Sequence, residues 1–305
     1  MLKIIKNKKS ISLGLDTLRR SFFQSKVFQP SNITKFVFLC GANKSADDIS
    51  ERRSALIEFS KRNLPHTQFF LAEKMFKILV DEGSKKNILD IEHEISKFAD
   101  HVVIILESES AFTELGAFSL NEELRKKLII INNQRFINSK SFINLGPLKA
   151  IEEATGPQNL IYYKMKEDGV NNRDAIGTTF FPVERLLKEP IKSKASAINL
   201  DSCNPATNFT KLSAMFVHDL IYFTGPVNHA ELVEVLKKLL DDQPFKLKEH
   251  LAILVAFGAI SRNQNGIYKS EKNLTFYDYR FNTDNLITTF RNFILKKYPE
   301  RIYGH

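Results

Sequence analysis

Short apolar runs alternate with amphipathic stretches of helical period through the first 165 residues. The apolar runs predict strands over 35–40, 67–71, 100–106, 128–131 and 159–163. The amphipathic stretches predict one helix that starts near Ser45 or Asp47, and others over 74–80, 87–98 and 112–126. Strands that alternate with helices in this way favour an α/β fold with a parallel sheet and right-handed crossovers.

The pattern changes from about residue 207 onward. Helices are predicted over 211–223, 229–240 and 247–257, and Asn228 is a candidate cap for the second of them. Two short strands then surround an Asn-Gly turn at 265–266, and a last helix covers 284–297. Three helices followed by a hairpin predict an α+β winged-helix domain.

The N-terminal residues form a third region. Residues 11–28 predict a short amphipathic helix that is broken at Pro30. The predicted organisation is therefore a basic N-terminal arm or helix (1–30), an α/β domain with its linker (31–205) and a winged-helix domain (206–305). The irregular stretch 165–205 is interpreted as peripheral helices and that linker.

Composition favours a globular protein outside the membrane. The chain is 43% hydrophobic and 26% charged, and it contains no apolar run of the roughly 18 residues that a membrane span needs. Its start has no apolar stretch and no cleavage site of a secretory signal. The two cysteines, Cys40 and Cys203, are too few for a disulfide framework, so a reducing cytoplasm is the expected location. No Cys/His cluster has zinc spacing, and we expect no metal site.

Positive charge is concentrated at the N-terminus. Of the net charge of +9, the first 35 residues contribute +7, because they hold eight Lys or Arg and a single Asp. Such an arm is either a solvated, mobile end or a contact for a polyanion such as a nucleic acid or a nucleic acid–protein complex.

Small polar and acidic side chains follow the third predicted strand. Glu107 ends that strand, Ser108 and Ser110 occupy the loop, and Thr113 and Glu114 fall in or just before the first turn of the next helix. In a parallel sheet, ligands bind outside the carboxyl ends of the strands. Free backbone N–H groups at a helix start bind phosphate or sugar hydroxyls there. This loop is therefore the candidate ligand site.

Carboxylates at this edge suit glycosyl transfer. The transition state resembles an oxocarbenium ion, which an adjacent anion such as Glu114 stabilises or attacks. Glu73 and Glu107, at other strand ends, can bind sugar hydroxyls or assist proton transfer. Taken singly, Glu114 is equally explained as an acidic partner of the helix dipole, and Glu73 as a solvated helix start.

Other candidates also have a structural alternative. Ser108 and Ser110 are either helix caps or ligand contacts. Arg52 and Arg53 form a surface face, unless one of them reaches a phosphate. Gly116 is small enough to let its helix pack closely over the neighbouring strand.

An ordered set of short motifs changes the balance between these alternatives. The motifs are Phe38-Leu-Cys-Gly41, Glu107-Ser-x-Ser110, Phe112-Thr-Glu-Leu-Gly-Ala-Phe-Ser119, Asn121-Glu-x-Leu-Arg-Lys-Lys-Leu128 and Ser141-Phe-Ile-Asn-x-Gly-Pro147. Together they resemble the effector proteins of bacterial retrons, which are toxin subunits with a nucleoside 2-deoxyribosyltransferase-like domain of flavodoxin/Rossmann-like type and a C-terminal winged-helix domain. The resemblance is densest over 36–147.

The resemblance implies an activity and a set of site residues. The expected enzyme is an N-glycosidase that acts on NAD or a nucleotide, uses no further cofactor, and has Glu114 as its catalytic residue. The implied substrate-binding residues are Cys40, Gly41, Arg53, Glu73, Glu107, Ser108, Ser110, Thr113 and Asn144.

The resemblance also implies partners. A retron reverse transcriptase with its multicopy single-stranded DNA and RNA is expected to hold the toxin inactive until phage infection releases it. No membrane partner is expected, and the sequence leaves a homo-oligomer open.

Two further functional interpretations stay open. Family members often have Pro-Gly between the two motif serines, whereas this chain has Glu109 between Ser108 and Ser110, which adds charge near the phosphate site. The substrate is therefore either NAD or a nucleoside or nucleotide that undergoes base exchange or hydrolysis. An interpretation of a different class is a nucleotide-sensing winged-helix DNA-binding regulator without catalysis, although the apolar helix 247–257 is a poor surface for reading bases.

Overall fold

Two compact units make up the computed structural model of the chain. One is Thr34–Ile191, and the other joins Met1–Ile33 with Lys192–His305. The structure describes residues 9–29, 34–45, 48–81, 87, 90, 92–93, 96, 98–167, 169–188, 196–241, 244–245 and 247–303.

The strands and helices are numbered along the chain. The N-terminal segment contains α1 (Lys9–Phe23) and β1 (Val27–Phe28). The first unit contains β2 (Lys35–Cys40), β3 (Asn43–Ser45), β4 (Asp48–Ile49), α2 (Glu51–Asn63), β5 (Thr67–Phe70), α3 (Ala72–Asp81), β6 (His101–Ile105), α4 (Glu109–Ser119), α5 (Glu122–Arg125), β7 (Leu128–Asn133), α6 (Lys149–Thr155), β8 (Leu160–Tyr163) and α7 (Phe180–Lys188). The C-terminal segment contains α8 (Lys211–Thr224), β9 (Val227–Asn228), α9 (His229–Leu240), α10 (Lys248–Ala256), β10 (Ile260–Arg262), β11 (Ile267–Ser270), β12 (Asp278–Tyr279), α11 (Asp284–Lys297) and α12 (Glu300–Tyr303).

A five-stranded parallel sheet forms the centre of the first unit. Its strands run in the order β5-β2-β6-β7-β8, and every neighbouring pair is parallel. The residues of β2 and β7 are buried throughout because helices cover both faces, which is why these strands appear as continuous apolar runs in the sequence. The predicted α/β fold with a flavodoxin-like parallel sheet is confirmed. After β2 the chain adds β5 on one side of this strand, and it then adds β6, β7 and β8 on the other side. The place between β2 and β6 is therefore a topological switch point, and such a point opens a crevice at the carboxyl ends of the strands.

Two helices of this unit start elsewhere than predicted. The helix expected from Ser45 or Asp47 begins at Glu51, because β3 and β4 pair first as a small hairpin and Ser50 then caps α2. Asp47 lies outside the described residues, as does half of the helix predicted over 87–98.

The helix predicted over 112–126 is two helices. Ser108 caps α4, which therefore begins at Glu109, and Asn121 caps the separate helix α5. Glu114 consequently lies in the second turn of α4 rather than at its start. Because the field of a helix dipole is felt mainly in the first turn, the interpretation of Glu114 as a dipole partner loses its basis.

The second unit has the predicted winged-helix order of elements. Helices α8, α9 and α10 are followed by the hairpin of β10 and β11, and β9 completes a three-stranded antiparallel sheet. Asn228 caps α9 as predicted and forms a reciprocal capping box with Glu231. The predicted Asn-Gly turn connects β10 to β11, with Gly266 at a φ of 70°. The α+β winged-helix prediction is confirmed.

The N-terminal helix belongs to this second unit instead of forming a separate arm. Helix α1 ends at Phe23, before the predicted end at residue 28, and β1 then pairs with β12. Its apolar face, which includes Ile11, Leu15 and Leu18, is buried. A Cβ atom on Gly14 would lie 2.7 Å from Cδ1 of Leu286, so glycine permits the close packing of α1 on α11. The predicted boundary at residues 205–206 also differs from the division observed at residues 191–192.

Within the described residues, the helices are too short or too polar to span a lipid bilayer.

Candidate active site

The candidate site lies at the switch point of the parallel sheet. Gly41 follows β2 and Glu107 follows β6, and these two strands are hydrogen-bonded neighbours. A Cβ atom on Gly41 would lie 2.8 Å from Oε1 of Glu107 and 3.0 Å from Cδ of Arg53. Glycine at position 41 therefore lets two charged side chains approach the end of β2.

Glu107 connects the loops at this edge of the sheet through hydrogen bonds. Its Oε1 accepts hydrogen bonds from Ala42 N at 3.0 Å and from the Ser50 hydroxyl at 2.6 Å, and its Oε2 accepts one from Arg52 at 3.0 Å. The side chain of Glu107 has no exposed surface. Its predicted contact with substrate stays a prediction, and the structure gives this carboxylate a positioning role.

Arg52 is buried in an ion-pair network instead of lying on a surface face. Its guanidinium bonds Glu107 on one side and Asp174 Oδ2 on the other, the latter from Nε at 3.1 Å and Nη2 at 2.7 Å. The side chain of Arg52 is 2% exposed, and the side chain of Asp174 is fully buried. A Cβ atom on Gly169 would lie 1.6 Å from the Arg52 guanidinium carbon, so only glycine leaves room for this arrangement. The network ties the irregular segment after β8 to the loops of the site.

Arg53 is also buried, and it holds Glu73. Nη1 of Arg53 lies 2.7 Å from Oε1 of Glu73, and Nη2 lies 3.2 Å from Oε2. The same guanidinium donates to Asn43 Oδ1 at 2.6 Å and to the carbonyl of Leu39 at 2.8 Å. Burial raises the pKa of Glu73, but the hydrogen bond and the charge of Arg53 outweigh it, so the pKa lies below its ordinary value. The surface interpretation of Arg53 is wrong, and its terminal nitrogens are occupied by protein acceptors.

Glu114 is a half-buried carboxylate at this edge. Its Oε2 atom is shielded from solvent and has no hydrogen-bond partner within the described part of the chain. Burial, and after it the negative charge of Glu92, raises the pKa of Glu114 to about 8, although a hydrogen bond with the Cys40 thiol acts in the opposite direction. The Cys40 thiol itself is buried, which raises its pKa well above the ordinary value and keeps it protonated.

Glu92 is the third acidic group of the cluster. Burial, with the negative charge of Glu73, raises the pKa of Glu92 to about 7, and only the charge of Arg53 opposes this effect. We call Glu73, Glu92 and Glu114 the carboxylate cluster. Arg53 is the cation that influences all three pKa values. When all three carboxylates are ionised, their negative charge exceeds the single positive charge of Arg53, and a cationic ligand would compensate the excess.

The remaining predicted residues surround the start of α4 or lie further along the chain. The hydroxyls of Ser108 and Ser110 are 2.9 Å apart, and Ser108 also caps the helix through Ala111 N at 3.3 Å. Thr113 donates to the carbonyl of Glu109 at 3.0 Å, as threonine often does within a helix. Asn144 donates to two carbonyls of the loop after β7, those of Phe136 and Ser139. Substrate contacts of these four side chains stay predictions.

Gly116 differs from its predicted role. A Cβ atom at this position would meet no atom within 4 Å, so close packing of α4 on the sheet does not require glycine here.

Comparison with known proteins places this geometry in a family. A family model described as "STM3845 retron effector protein" matches residues 49–262. The chain belongs to the STM3845 retron effector family. It is 44% identical over 287 residues to the Escherichia coli "Retron Ec73 putative ribosyltransferase/DNA-binding protein", which covers 92% of this chain and 90% of that protein. It is also 32% identical over 128 residues to the corresponding Escherichia coli protein named for retron Ec86, which covers 41% of this chain and 40% of that protein.

Three site residues of this retron effector were not among the predicted ones. Arg52 was grouped with a surface face, while Asp174 and Glu92 were not singled out. Asp174 lies 122 positions from Arg52, in a segment without regular periodicity. The available signal was the pair Arg52-Arg53 in the first turn of α2, because two adjacent arginines there oppose the helix dipole and need acidic partners.

The chemistry available to the effector is that of carboxylates, hydroxyls and a thiol. Across the described ranges, no group of three or more His, Cys, Asp or Glu side chains has the geometry of a metal site. The half-buried Glu114 can stabilise a positive charge or attack a carbon centre, and its partly shielded surroundings strengthen such interactions.

Proposed function

We propose that the Thr34–Ile191 unit hydrolyses the N-glycosidic bond of NAD, with Glu114 as the catalytic residue. The observation that carries this proposal is the half-buried Glu114 carboxylate, which has one oxygen without a partner at the switch point of the sheet. A buried acceptor without a partner is costly, so such a group in a crevice indicates a place for a ligand. The names of both relatives also include a putative ribosyltransferase.

The charge of the carboxylate cluster favours a cationic substrate over a neutral nucleoside. The nicotinamide ring of NAD is positively charged before its bond to ribose breaks. Burial raises the pKa of Glu114 in the free protein. The positive charge of the bound ring lowers this pKa again, so it favours the ionised carboxylate. A neutral base supplies no such charge and would also need a proton before it leaves.

The reaction balances with water as the second reactant. The bond between ribose C1 and the nicotinamide nitrogen breaks, and its electron pair stays on that nitrogen, which neutralises the ring. Glu114 stabilises or attacks the resulting oxocarbenium-like carbon. Water then adds to C1 and loses a proton, so the products are nicotinamide, ADP-ribose and one proton.

Neighbouring residues supply binding and positioning. Glu73, held by Arg53, accepts hydrogen bonds from ribose hydroxyls. The Ser108 and Ser110 hydroxyls, the start of α4 and the Gly41 backbone bind phosphate. Cys40, Thr113 and Asn144 complete the predicted contacts.

The biological role we propose is that of a toxin in a retron defence system. Membership of the retron effector family supports it, because a retron includes a reverse transcriptase and its multicopy single-stranded DNA. In this proposal the reverse transcriptase–DNA complex holds the enzyme inactive in the cytoplasm until phage infection. Co-purification with the reverse transcriptase, with and without nuclease treatment, tests this partnership.

A direct assay tests the activity. Purified wild type, Glu114→Gln and the control Glu123→Gln, an exposed carboxylate on the following helix α5, are incubated with NAD, and nicotinamide is separated by chromatography. We expect release by wild type and control, and a loss of at least about a hundredfold in Glu114→Gln. Equal release by Glu114→Gln would contradict the assignment.

A panel of nucleosides and nucleotides in the same assay distinguishes the alternatives. Base exchange or hydrolysis of a neutral nucleoside, with NAD untouched, would replace NAD as the substrate. Binding of a nucleotide without turnover would favour the non-catalytic DNA-binding regulator.

A further inference from the structure

The third helix of the winged-helix unit is covered by the chain itself. In this fold the third helix ordinarily enters the major groove of DNA. Here α10 is buried along most of its length, including His250 and Leu254. Nε2 of His250 lies 2.9 Å from the Ser213 hydroxyl and 3.1 Å from the carbonyl of Asn208, so the segment before α8 packs over this helix. Helix α10 therefore does not present the polar side chains that base reading needs.

Helix α11 presents the polar surface that α10 lacks. Four exposed hydrogen-bonding side chains follow one face of α11 at spacings of three and four residues. We call them the α11 stripe: Asn285, Thr288, Asn292 and Lys296. Arg291 is exposed beside the stripe. In the described part of the chain, the side chains of Arg291, Asn292 and Lys296 take part in no hydrogen bond or ion pair.

The opposite face fixes α11 firmly in the unit. Leu286, Phe290, Phe293 and Ile294 are buried there. The close contact of Gly14 with Leu286 holds α1 against the same helix. The stripe is therefore displayed on a packed element of fixed geometry and not on a loose end.

After its first residue, Asp284, helix α11 carries only basic charged side chains. Between Asp284 and Glu300 the sequence contains no acidic residue, while it contains Arg291, Lys296 and Lys297. Helix α1, packed alongside, carries the exposed Lys9 and Arg20 and also Asp16, whose carboxylate pairs with Lys238. Basic and amide side chains without intervening carboxylates are complementary to a phosphodiester backbone, because they attract the phosphates and donate hydrogen bonds to their oxygens.

We propose that the α11 stripe and Arg291 bind nucleic acid, in place of the covered helix α10. Arg291 and Lys296 contact phosphates, and the amides of Asn285 and Asn292 donate to phosphate or sugar oxygens. The interaction reads backbone shape and charge more than base sequence, because the stripe has a single arginine beside it and no aromatic side chain. This surface is independent of the carboxylate cluster and of its activity.

The test compares binding by variants of the full chain. The ligands are a fluorescent DNA hairpin and a branched RNA–DNA hybrid, and anisotropy is measured from 50 to 200 mM salt. For the double variant Arg291→Ala/Lys296→Ala we expect at least a tenfold weaker affinity at low salt. We also expect the slope of log K against log salt to decrease by about 2, since each phosphate contact contributes about 0.9. The matched control is Lys61→Ala/Arg62→Ala, which removes two exposed charges from α2 and should leave affinity and slope unchanged.

A second variant separates the stripe from general charge loss. Asn292→Asp keeps the size of the side chain and places a negative charge in the middle of the stripe, so we expect binding to weaken severalfold at 50 mM salt and less at 200 mM. Circular dichroism and unchanged NAD turnover establish that each variant is folded. The proposal is overturned if the double variant binds with wild-type affinity and salt slope, if the control loses as much as the double variant, or if wild type binds neither nucleic acid.

Discussion

Arg53 binds both carboxylate oxygens of Glu73, at 2.7 Å and 3.2 Å, while only 1% of the arginine side chain is exposed. The arginine is therefore a buried positioning residue of the site. It fixes the position of one carboxylate of the cluster, and its charge lowers the pKa values of Glu92 and Glu114 as well. A residue with this role should affect the ionisation of the cluster in addition to its geometry.

Replacing Arg53 by Met should shift the pH dependence of NAD hydrolysis. Without the arginine charge, the pKa of Glu114 rises further, and each additional unit lowers the ionised fraction at neutral pH about tenfold. We expect kcat/KM at pH 7 to fall at least about tenfold and its rising limb to move to higher pH. Arg62→Met, an exposed position on the same helix, is the control. A variant with reduced kcat/KM but an unmoved pH profile would show that Arg53 acts through geometry alone.

The wild-type enzyme should itself show a rising pH profile. The ionised form of Glu114 is the active one in the proposed mechanism, and the pKa of this group in the free protein is about 8. Because kcat/KM reports the ionisation of the free enzyme, it should increase from pH 6 to about pH 8 and then level off. Steady-state nicotinamide release over pH 6–9 measures it. A profile that falls over this range would mean that protonated Glu114 is the active form and acts as a general acid.

The parallel sheet could be predicted because each strand is marked by a pattern within its own short segment of sequence. Strands such as β2 and β6 are buried on both faces, so their side chains are apolar without interruption. The topology then implies that residues after these strands share one edge, and Gly41, Glu107 and Glu114 do so. Glu73 could be placed there for the same reason.

The partners of the two arginines could not be predicted in the same way. The acceptor of Arg52 is Asp174, whose position depends on how an irregular segment folds back over the sheet. The packing of α1 is also non-local, because Gly14 meets Leu286 from the far end of the chain. Amphipathicity showed that α1 has an apolar face but did not identify the helix that covers it.

Ionisation of Glu114 at alkaline pH should lower the free energy of unfolding. Its pKa is about 8 in the folded protein and near the ordinary 4.5 when unfolded, so its contribution to stability is most favourable below about pH 4.5 and is lost as the pH rises through about 8. Glu114→Gln does not titrate. We therefore expect it to match wild type at pH 5 and to exceed it at pH 9 by on the order of 2 kcal/mol, since one pKa unit corresponds to about 1.4 kcal/mol and the site is partly solvated. Urea unfolding followed by circular dichroism at both pH values measures this difference.

The control for this comparison is Glu109→Gln on the exposed side of α4. Its difference from wild type should be small and similar at pH 5 and pH 9. If Glu114→Gln gains no more at pH 9 than this control does, Glu114 is solvated well enough to ionise freely, and the raised pKa is wrong.

Two glycine-to-alanine substitutions should have opposite effects on stability. In Gly169→Ala the new Cβ would lie 1.6 Å from the guanidinium carbon of Arg52, so the arginine must leave its bonds to Asp174 and Glu107. Breaking a buried ion pair costs about 3–5 kcal/mol, and NAD turnover should fall because Glu107, which holds the loop after β2, then loses its bond to Arg52. In Gly116→Ala the new Cβ meets nothing within 4 Å and lies inside α4, so stability should rise by up to about 1 kcal/mol. If Gly169→Ala unfolds at the same urea concentration as wild type, the Arg52 network contributes little to the stability of the site.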